Sequence, residues 1–323
     1  MFLNLKKQVI KMENKKTVSV VVPIYNEVQM VEEIYARVSA VFKKIDKYNY
    51  ELVFFDDGST DGTKEAVKKL CSEHNEVKGV FYARNFGYLK NTFYSMQQAK
   101  GDCAVILHAD LQNPPEVIPQ LIEKWENGAQ VVLGIKNKSH ENKFMYFLRT
   151  IGYFIMINFF GVKMVPHATE FELFDKSFIN ILKNIKTNNP FLRGIVSEYA
   201  TKIEHIYYTQ DARKKGKSKF NFSKYYDFAM CGITHHSKKT AKSVVFASLI
   251  GMIISAAEFF LNFVPHCFGM QMFEISNAFI IRCLVFLILA LFILISVAIE
   301  FLTSITNDLS IKPLVVEEER IDY

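Results

Sequence analysis

The chain has a single tryptophan, Trp125, and its five cysteines, at positions 71, 103, 231, 267 and 283, include no CxxC pair. That spacing offers neither a zinc site nor a disulfide framework, and the cysteines read as isolated thiols of a reducing compartment. No GxGxxG run occurs, which disfavours a dinucleotide fold of the dehydrogenase kind. No known nucleic-acid motif accompanies the net charge of +6, so nucleic acid is not the expected partner. An anionic membrane face and an anionic substrate account for the charge better. Residues 1–10 hold two lysines and no long apolar core, so no signal peptide is expected. Met12 is a candidate start, because the fold begins near Thr17. No internal repeat or low-complexity linker stands out.

Apolar residues are abundant: half the chain is hydrophobic, 29 residues are phenylalanine, and the excess lies towards the C-terminus. Residues 243–264 and 278–302 are long enough to cross a bilayer, which takes ~20 apolar residues. Lys238, Lys239 and Lys242 precede the first, and the link at 265–277 has no Lys or Arg. The positive-inside rule then places the N-terminal part and the tail at 303–323 in the cytoplasm, anchored to the inner (plasma) membrane by two spans. Residues 144–160, FMYFLRTIGYFIMINFF, are apolar almost all round but short for a span and interrupted by Arg149. They predict an interfacial helix lying on the membrane.

Residues 17–135 alternate strand and helix. Strands are expected at 17–22, 50–55, 77–82, 103–107 and 130–134. Between the first two, Val28, Val31, Ile34, Tyr35, Val38, Val41, Phe42 and Ile45 recur at helical steps. Such alternation predicts a doubly wound, mostly parallel α/β sheet, whose ligands bind at the carboxyl ends of the strands. The loops at those ends carry the polar residues. Strand one runs into VVPIYNE at 21–27, strand two into DDGSTDGT at 56–63 and strand three into ARNFG at 83–87. Strand four runs into HADLQNPP at 108–115, where Asp110 leaves the sheet and Pro114 and Pro115 open a helix.

A carboxylate such as Asp110, held at a strand end, suits a hard cation on a diphosphate, with Gln112 as a neutral donor or ligand. Asp56 and Asp57 can accept hydrogen bonds from a base imide and ribose hydroxyls. The turn from Pro23 through Tyr25 to Glu27 can offer backbone groups and a carboxylate. Arg84 and Asn85 suit phosphate or sugar oxygens. Further on, RKKGKSK at 213–219 packs five cations into seven residues. It reads either as a solvated or membrane-facing patch or as a phosphate-binding loop.

Taken in order, VVPIYNE, DDGSTDGT, ARNFG, ADLQNPP and the cationic run resemble the family 2 inverting glycosyltransferases, in particular the polyprenyl-phosphate sugar transferases. The resemblance implies a GT-A domain over 17–225, a juxtamembrane segment at 226–242 and two transmembrane helices. It implies a nucleotide-sugar donor, UDP-linked in bacterial members, and undecaprenyl phosphate as acceptor. The product would feed a surface polysaccharide or wall polymer. It also implies Mg²⁺ or Mn²⁺ at Asp110 and a homo-oligomer. Arg213, Ser218 and Lys219 fall on the family's RxxGxSK pattern, and Arg193, in FLRG, matches a position that meets the lipid phosphate.

Two departures stand out. Family members often carry Asp-Phe-Arg-Leu where this chain has Glu170-Phe171-Glu172-Leu173; Glu170 can replace the Asp, whereas Glu172 removes a cation. The usual Asp-Ala-Asp is here His108-Ala109-Asp110, and His108 is either a metal ligand or a packed strand-end residue. These departures keep open a catalytically impaired membrane scaffold of the same fold. A processive polysaccharide synthase is disfavoured, since the QxxRW signature of that type is missing and Trp125 lies in Lys-Trp-Glu.

Overall fold

The computed structural model describes residues 15–138, 143–211, 229–234, 237, 250–251, 253, 257, 277–309 and 312–323. The chain divides into two compact units. The first joins Met1–Thr150, Met164–Lys224 and Ile311–Tyr323, and the second joins Ile151–Lys163 and Tyr225–Ser310.

The first unit is built on an eight-stranded sheet. Four strands are parallel: β1 (Thr17–Ile24), β2 (Asn49–Asp56), β3 (Val77–Tyr82) and β4 (Cys103–Ile106). β1 lies between β2 and β4, with Val18 opposite both Tyr50 and Cys103, and β3 flanks β2. Beyond β4 come β6 (Ala168–Asp175), antiparallel to it, then β5 (Val131–Lys138), antiparallel to β6, and β7 (Ile203–Thr209), parallel to β5. Beyond β3 the last strand, β8 (Glu317–Ile321), runs antiparallel. The sequence set residues 303–323 apart as a tail, but residues 317–321 are an edge strand of the sheet.

Both faces of the sheet are covered, which is why the central strands read as unbroken β-branched runs rather than alternating ones. Val18, Val20, Val22, Leu52, Phe54 and Val105 point to one core. That core is shared with α1 (Val31–Lys44), α2 (Thr63–Glu73) and α4 (Ile118–Glu126). Val21, Val53, Phe55, Val80 and Ile106 point to the other. That side is covered by α3 (Tyr88–Gln98), α6 (Lys176–Asn184) and α7 (Leu192–Tyr199). The first predicted helix is present: Val31, Ile34, Val38, Val41 and Phe42 are its buried face. Its expected start at Val28 is a separate 3₁₀ turn, Val28–Met30. A second 3₁₀ turn, Pro115–Val117, leads into α4, with proline at its first position as the sequence indicated.

Of the expected interfacial helix, α5 spans Lys143–Phe154 and a π-helical turn continues it over Ile155–Phe159. Tyr146, Phe147, Phe154 and Phe159 on this stretch are each about half exposed or more. Near the C-terminus α8 runs for 33 residues, Asn277–Leu309, longer than the expected 278–302. Its described side chains include exposed Leu287, Leu291, Phe292, Ile293, Ile295, Ile299 and Leu302. Some side chains of α8 lie outside the described residues; among those described, no helix is long and apolar enough to cross a membrane. The expected first span, 243–264, and the cationic run with Arg213, Ser218 and Lys219 lie largely or wholly outside the described residues.

Candidate active site

Because β1 to β4 are parallel and in adjacent order, the four polar loops emerge side by side at one edge of the sheet. The first three are bonded one to the next. After β1, the Asn26 amide donates to Ser59 Oγ (2.8 Å), and Asn26 Oδ1 accepts from the Thr60 amide (2.8 Å). The Glu27 amide donates to Thr63 Oγ1 (3.1 Å) and the Val28 amide to Asp61 Oδ2 (3.2 Å). Asn26 has φ of 51°, a left-handed conformation that asparagine tolerates better than most residues. Pro23 and Ile24 are buried in the strand, and Tyr25, Asn26 and Glu27 are partly exposed.

Asp56 and Asp57 are buried, at 1% and 2% exposure. Asp56 accepts from the Ser59 amide (3.2 Å) and from its hydroxyl. Asp57 accepts from the amides of Phe86 (2.7 Å) and Gly87 (2.9 Å), which tie the second loop to the third. Burial pushes the Asp57 carboxyl up to about 6, against the pull of those two amides. Asp57 thus ties two loops together, and Asp56 fastens the turn within its own loop. Gly58 lies between these loops with φ of 69°, and a Cβ there would stand 2.6 Å from the carbonyl carbon of Arg84. Only glycine permits that approach. Arg84 and Asn85 are exposed, and the Arg84 guanidinium lies 4.8 Å from the centre of the Phe86 ring.

The fourth loop bends sharply. Leu111 is buried yet has φ of 51°. Strain of this kind in a non-glycine residue costs ~1–3 kcal/mol and concentrates at functional sites. The turn is held by the Leu111 amide on the His108 carbonyl (3.1 Å) and the Gln112 amide on Asp110 Oδ1 (3.2 Å). Asn113 Oδ1 accepts from Tyr208 (2.5 Å), whose hydroxyl is also 2.8 Å from Thr169 Oγ1. The Gln112 carbonyl accepts from the Asp211 amide (3.0 Å), so the segment entering the cationic run is fastened to the Asp110 turn.

β6 completes the site from the other side. Since β6 is antiparallel to β4, its N-terminal half lies at the carboxyl end of β4. Tyr88, at the start of α3, stacks on His108 with ring centres 5.8 Å apart and donates its hydroxyl to Glu170. Glu170 also meets the Arg193 guanidinium, Nε to Oε1 at 3.3 Å. The structure therefore brings together His108, Tyr88, Glu170 and Arg193. Tyr88 was not singled out in the sequence; its place directly after the ARNFG loop was the available signal. Glu172, next but one on β6, is buried at 1% exposure.

Among the described residues no group of three or more His, Cys, Asp or Glu side chains is disposed to hold a metal. Asp110 is partly exposed, and its only hydrogen bond among the described residues is the one to Gln112. That arrangement fits a cation shared between one protein carboxylate, the oxygens of a bound diphosphate and water, as hard divalent ions allow. His108, stacked on Tyr88, lies two residues away.

Residues 19–200 match the model of glycosyl transferase family 2. An uncharacterized glycosyltransferase of Bacillus subtilis, YkcC, is 34% identical, covering 76% of this chain and 75% of its own. The bactoprenol glucosyl transferase of Shigella phage SfV is 32% identical over 68% of this chain and 72% of its own. A prophage bactoprenol glucosyl transferase homolog of Escherichia coli is 30% identical over 75% and 78%. Among solved structures, a glucosyl-3-phosphoglycerate synthase from Mycobacterium tuberculosis aligns with a TM-score of 0.48 at 18% identity, over 68% of this chain and 76% of that one.

Proposed function

Because this chain belongs to glycosyl transferase family 2, we propose that it moves a sugar from a nucleotide donor, UDP-linked, to undecaprenyl phosphate. The relatives named as bactoprenol glucosyl transferases support the acceptor. The observation that supports the reaction is that four polar strand-end loops, the one with Asp110 among them, emerge side by side, with Glu170 and Arg193 brought to Tyr88, which stacks on His108 two residues before Asp110.

In this scheme Tyr25, Glu27 and the Asp56–Asp57 loop hold the base and ribose, and Arg84 and Asn85 meet phosphate or sugar oxygens. A divalent cation at Asp110, with Gln112 beside it, would offset the charge gathering on the diphosphate as it departs. The acceptor oxygen forms a bond to the anomeric carbon as the bond from that carbon to the diphosphate breaks, which inverts the centre. A phosphate monoester is mostly dianionic at neutral pH, since its second pKa is ~6, so it attacks without giving up a proton. Glu170 therefore has an orienting role: with Tyr88 it fixes Arg193, whose guanidinium suits the acceptor phosphate. Arg213, Ser218 and Lys219 would add further phosphate contacts.

The lipid acceptor goes with a membrane location. We place α8, with its exposed aliphatic side chains, in the plasma membrane, and α5 with its exposed aromatics at the interface. The catalytic unit then lies on the cytoplasmic side, where the lysines before residue 243 favour it.

The test uses the full chain in detergent or vesicles with undecaprenyl phosphate and a panel of labelled UDP- and GDP-sugars. One sugar should pass to the lipid in a reaction abolished by chelator. Asp110→Asn should lower turnover by about 100-fold or more while the protein stays folded, on the scale of losing one charge-stabilising group. Near-normal turnover in Asp110→Asn, or no transfer from any donor, would defeat the assignment.

A further inference from the structure

Glu170 and Glu172 are two residues apart on β6 and so share one face of the sheet. It is the face lined by Ile106, Leu133 and Phe174. Both carboxyl groups are nine-tenths buried or more, and Oε2 of Glu172 has no hydrogen-bond partner among the described residues. Among the described residues, the titratable or charged groups facing Glu172 are few. Glu170 stands beside it on β6, Arg193 comes from α7, and Tyr88 from α3 is bonded to Glu170. At the level of Glu172, β4 and β5 present Ile106 and Leu133. Among the described residues, two buried carboxyl groups therefore face one partly buried guanidinium. Two buried like charges with a single counter-charge are strongly disfavoured, and one carboxyl keeps its proton instead. Glu170 holds both the Tyr88 hydroxyl and Arg193, whereas Oε2 of Glu172 makes no hydrogen bond among the described residues.

We propose that Glu172 is a positioning residue that stands protonated beside the Glu170–Arg193 pair, reserving the charge of Arg193 for Glu170 and for the acceptor phosphate. The inference rests on the transfer reaction proposed above for its consequence, but not for its chemistry. Burial, reinforced by Glu170, lifts the Glu172 carboxyl to about 8, with Arg193 pulling the other way. Above that pH Glu172 ionises, Arg193 is divided between two carboxylates, and its hold on a third anion weakens. Transfer should accordingly fall on the alkaline side.

The proton can be observed without turnover. Infrared spectroscopy of the full-length protein should show a protonated-carboxyl carbonyl band at pH 7 that fades as the pH passes about 8. The band should be missing from Glu172→Gln. In Glu170→Gln, Glu172 loses its like-charged neighbour and gains Arg193, so its band should fade at lower pH. Thermal melting gives a second readout. A carboxyl whose pKa is raised on folding contributes fully below its unfolded value, near 4.5, and that contribution drains away as the pH rises to about 8. The melting temperature of Glu172→Gln should therefore gain on the parent between pH 5 and pH 8. Where transfer is measurable, each rate profile is scaled to its own maximum, and the alkaline fall should shift or vanish in Glu172→Gln. A band absent from the parent at pH 7, a band unchanged in Glu172→Gln, or one unmoved in Glu170→Gln would overturn the proposal. If no donor supports transfer, the reaction scheme fails and the infrared titration still decides the state of Glu172.

Discussion

At the scale of single residues, the site depends on groups that hold its loops in place. Asp57 spends its oxygens on the amides of Phe86 and Gly87, and Asn26 joins the first two loops in both directions, donating to Ser59 Oγ and accepting from the Thr60 amide. Gly58 is the tightest point of this arrangement. Alanine there would place a methyl 2.6 Å from the Arg84 carbonyl carbon, in a backbone conformation that side chains avoid. The third loop would have to retreat, taking Arg84 and Asn85 with it. Gly58→Ala should cost about 1–3 kcal/mol of stability, the range for a strained backbone position. It should also weaken donor binding more than Gly152→Ala, since a Cβ at Gly152 meets nothing within 4 Å and its backbone is not left-handed. Melting curves and donor titrations of the two variants make the comparison, and equal donor affinities would show that the Gly58 contact does not position the third loop.

Much of this scale was legible in the sequence. Asp110, Asp56, Asp57, Arg84 and Asn85 are polar residues directly after apolar runs, and chain order alone places such residues at strand ends. Long-range pairing is not legible in this way. Tyr88 and Glu170 are 82 residues apart and meet only because β6 returns antiparallel beside β4. The burial of Glu172 is hidden for the same reason, because a glutamate in an alternating stretch reads as facing water. The engagement of Asp57 with the third loop was equally out of reach, since it depends on how closely adjacent loops approach.

At the scale of elements, β8 is the part that composition disguised. Its sequence, EEERI, is charged and reads as a solvated tail. It becomes a strand because β3 would otherwise present an unpaired edge, a liability that sheets cover. Lys64 and Lys68 on α2 meet Glu318 at 2.9 Å and Glu319 at 2.6 Å, so the acidic run has partners waiting. Tyr323 then packs edge-on against Phe55 and donates its hydroxyl to the Gln98 carbonyl (2.7 Å), and Val315 is buried. Exposed ion pairs contribute ~0–1 kcal/mol each, whereas strand pairing and buried side chains contribute more. Removing residues 314–323 should therefore lower the melting temperature by more than about 5 °C, taking about 2–4 °C per kcal/mol for a unit of this size. Lys64→Ala with Lys68→Ala should lower it by less than half as much. A truncation no worse than the lysine pair would mean that β8 is held by charge alone.

At the scale of the whole molecule, an α/β unit of familiar plan is joined in one chain to a helix whose outer surface is aliphatic. Leu287, Leu291, Phe292, Ile293, Ile295, Ile299 and Leu302 of α8 are all about half exposed or more. Such residues scattered singly need no explanation, but a band of them along one helix marks a surface meant to be covered. At ~1.5 Å per residue α8 is about 50 Å long, more than the ~30 Å of a bilayer's hydrocarbon core. If that cover is lipid, the full chain should stay with membranes through an alkaline carbonate wash and be released only by detergent. Ile295→Arg, near the middle of α8, should then reduce membrane-integrated protein, because an arginine at bilayer depth costs ~2.5–3.5 kcal/mol on insertion scales. Lys312→Ala, beyond the end of the helix, should have little effect. If α8 instead meets water or another protein, carbonate would release the chain and Ile295→Arg would leave its distribution unchanged. The lipid acceptor would then have to be reached from solution.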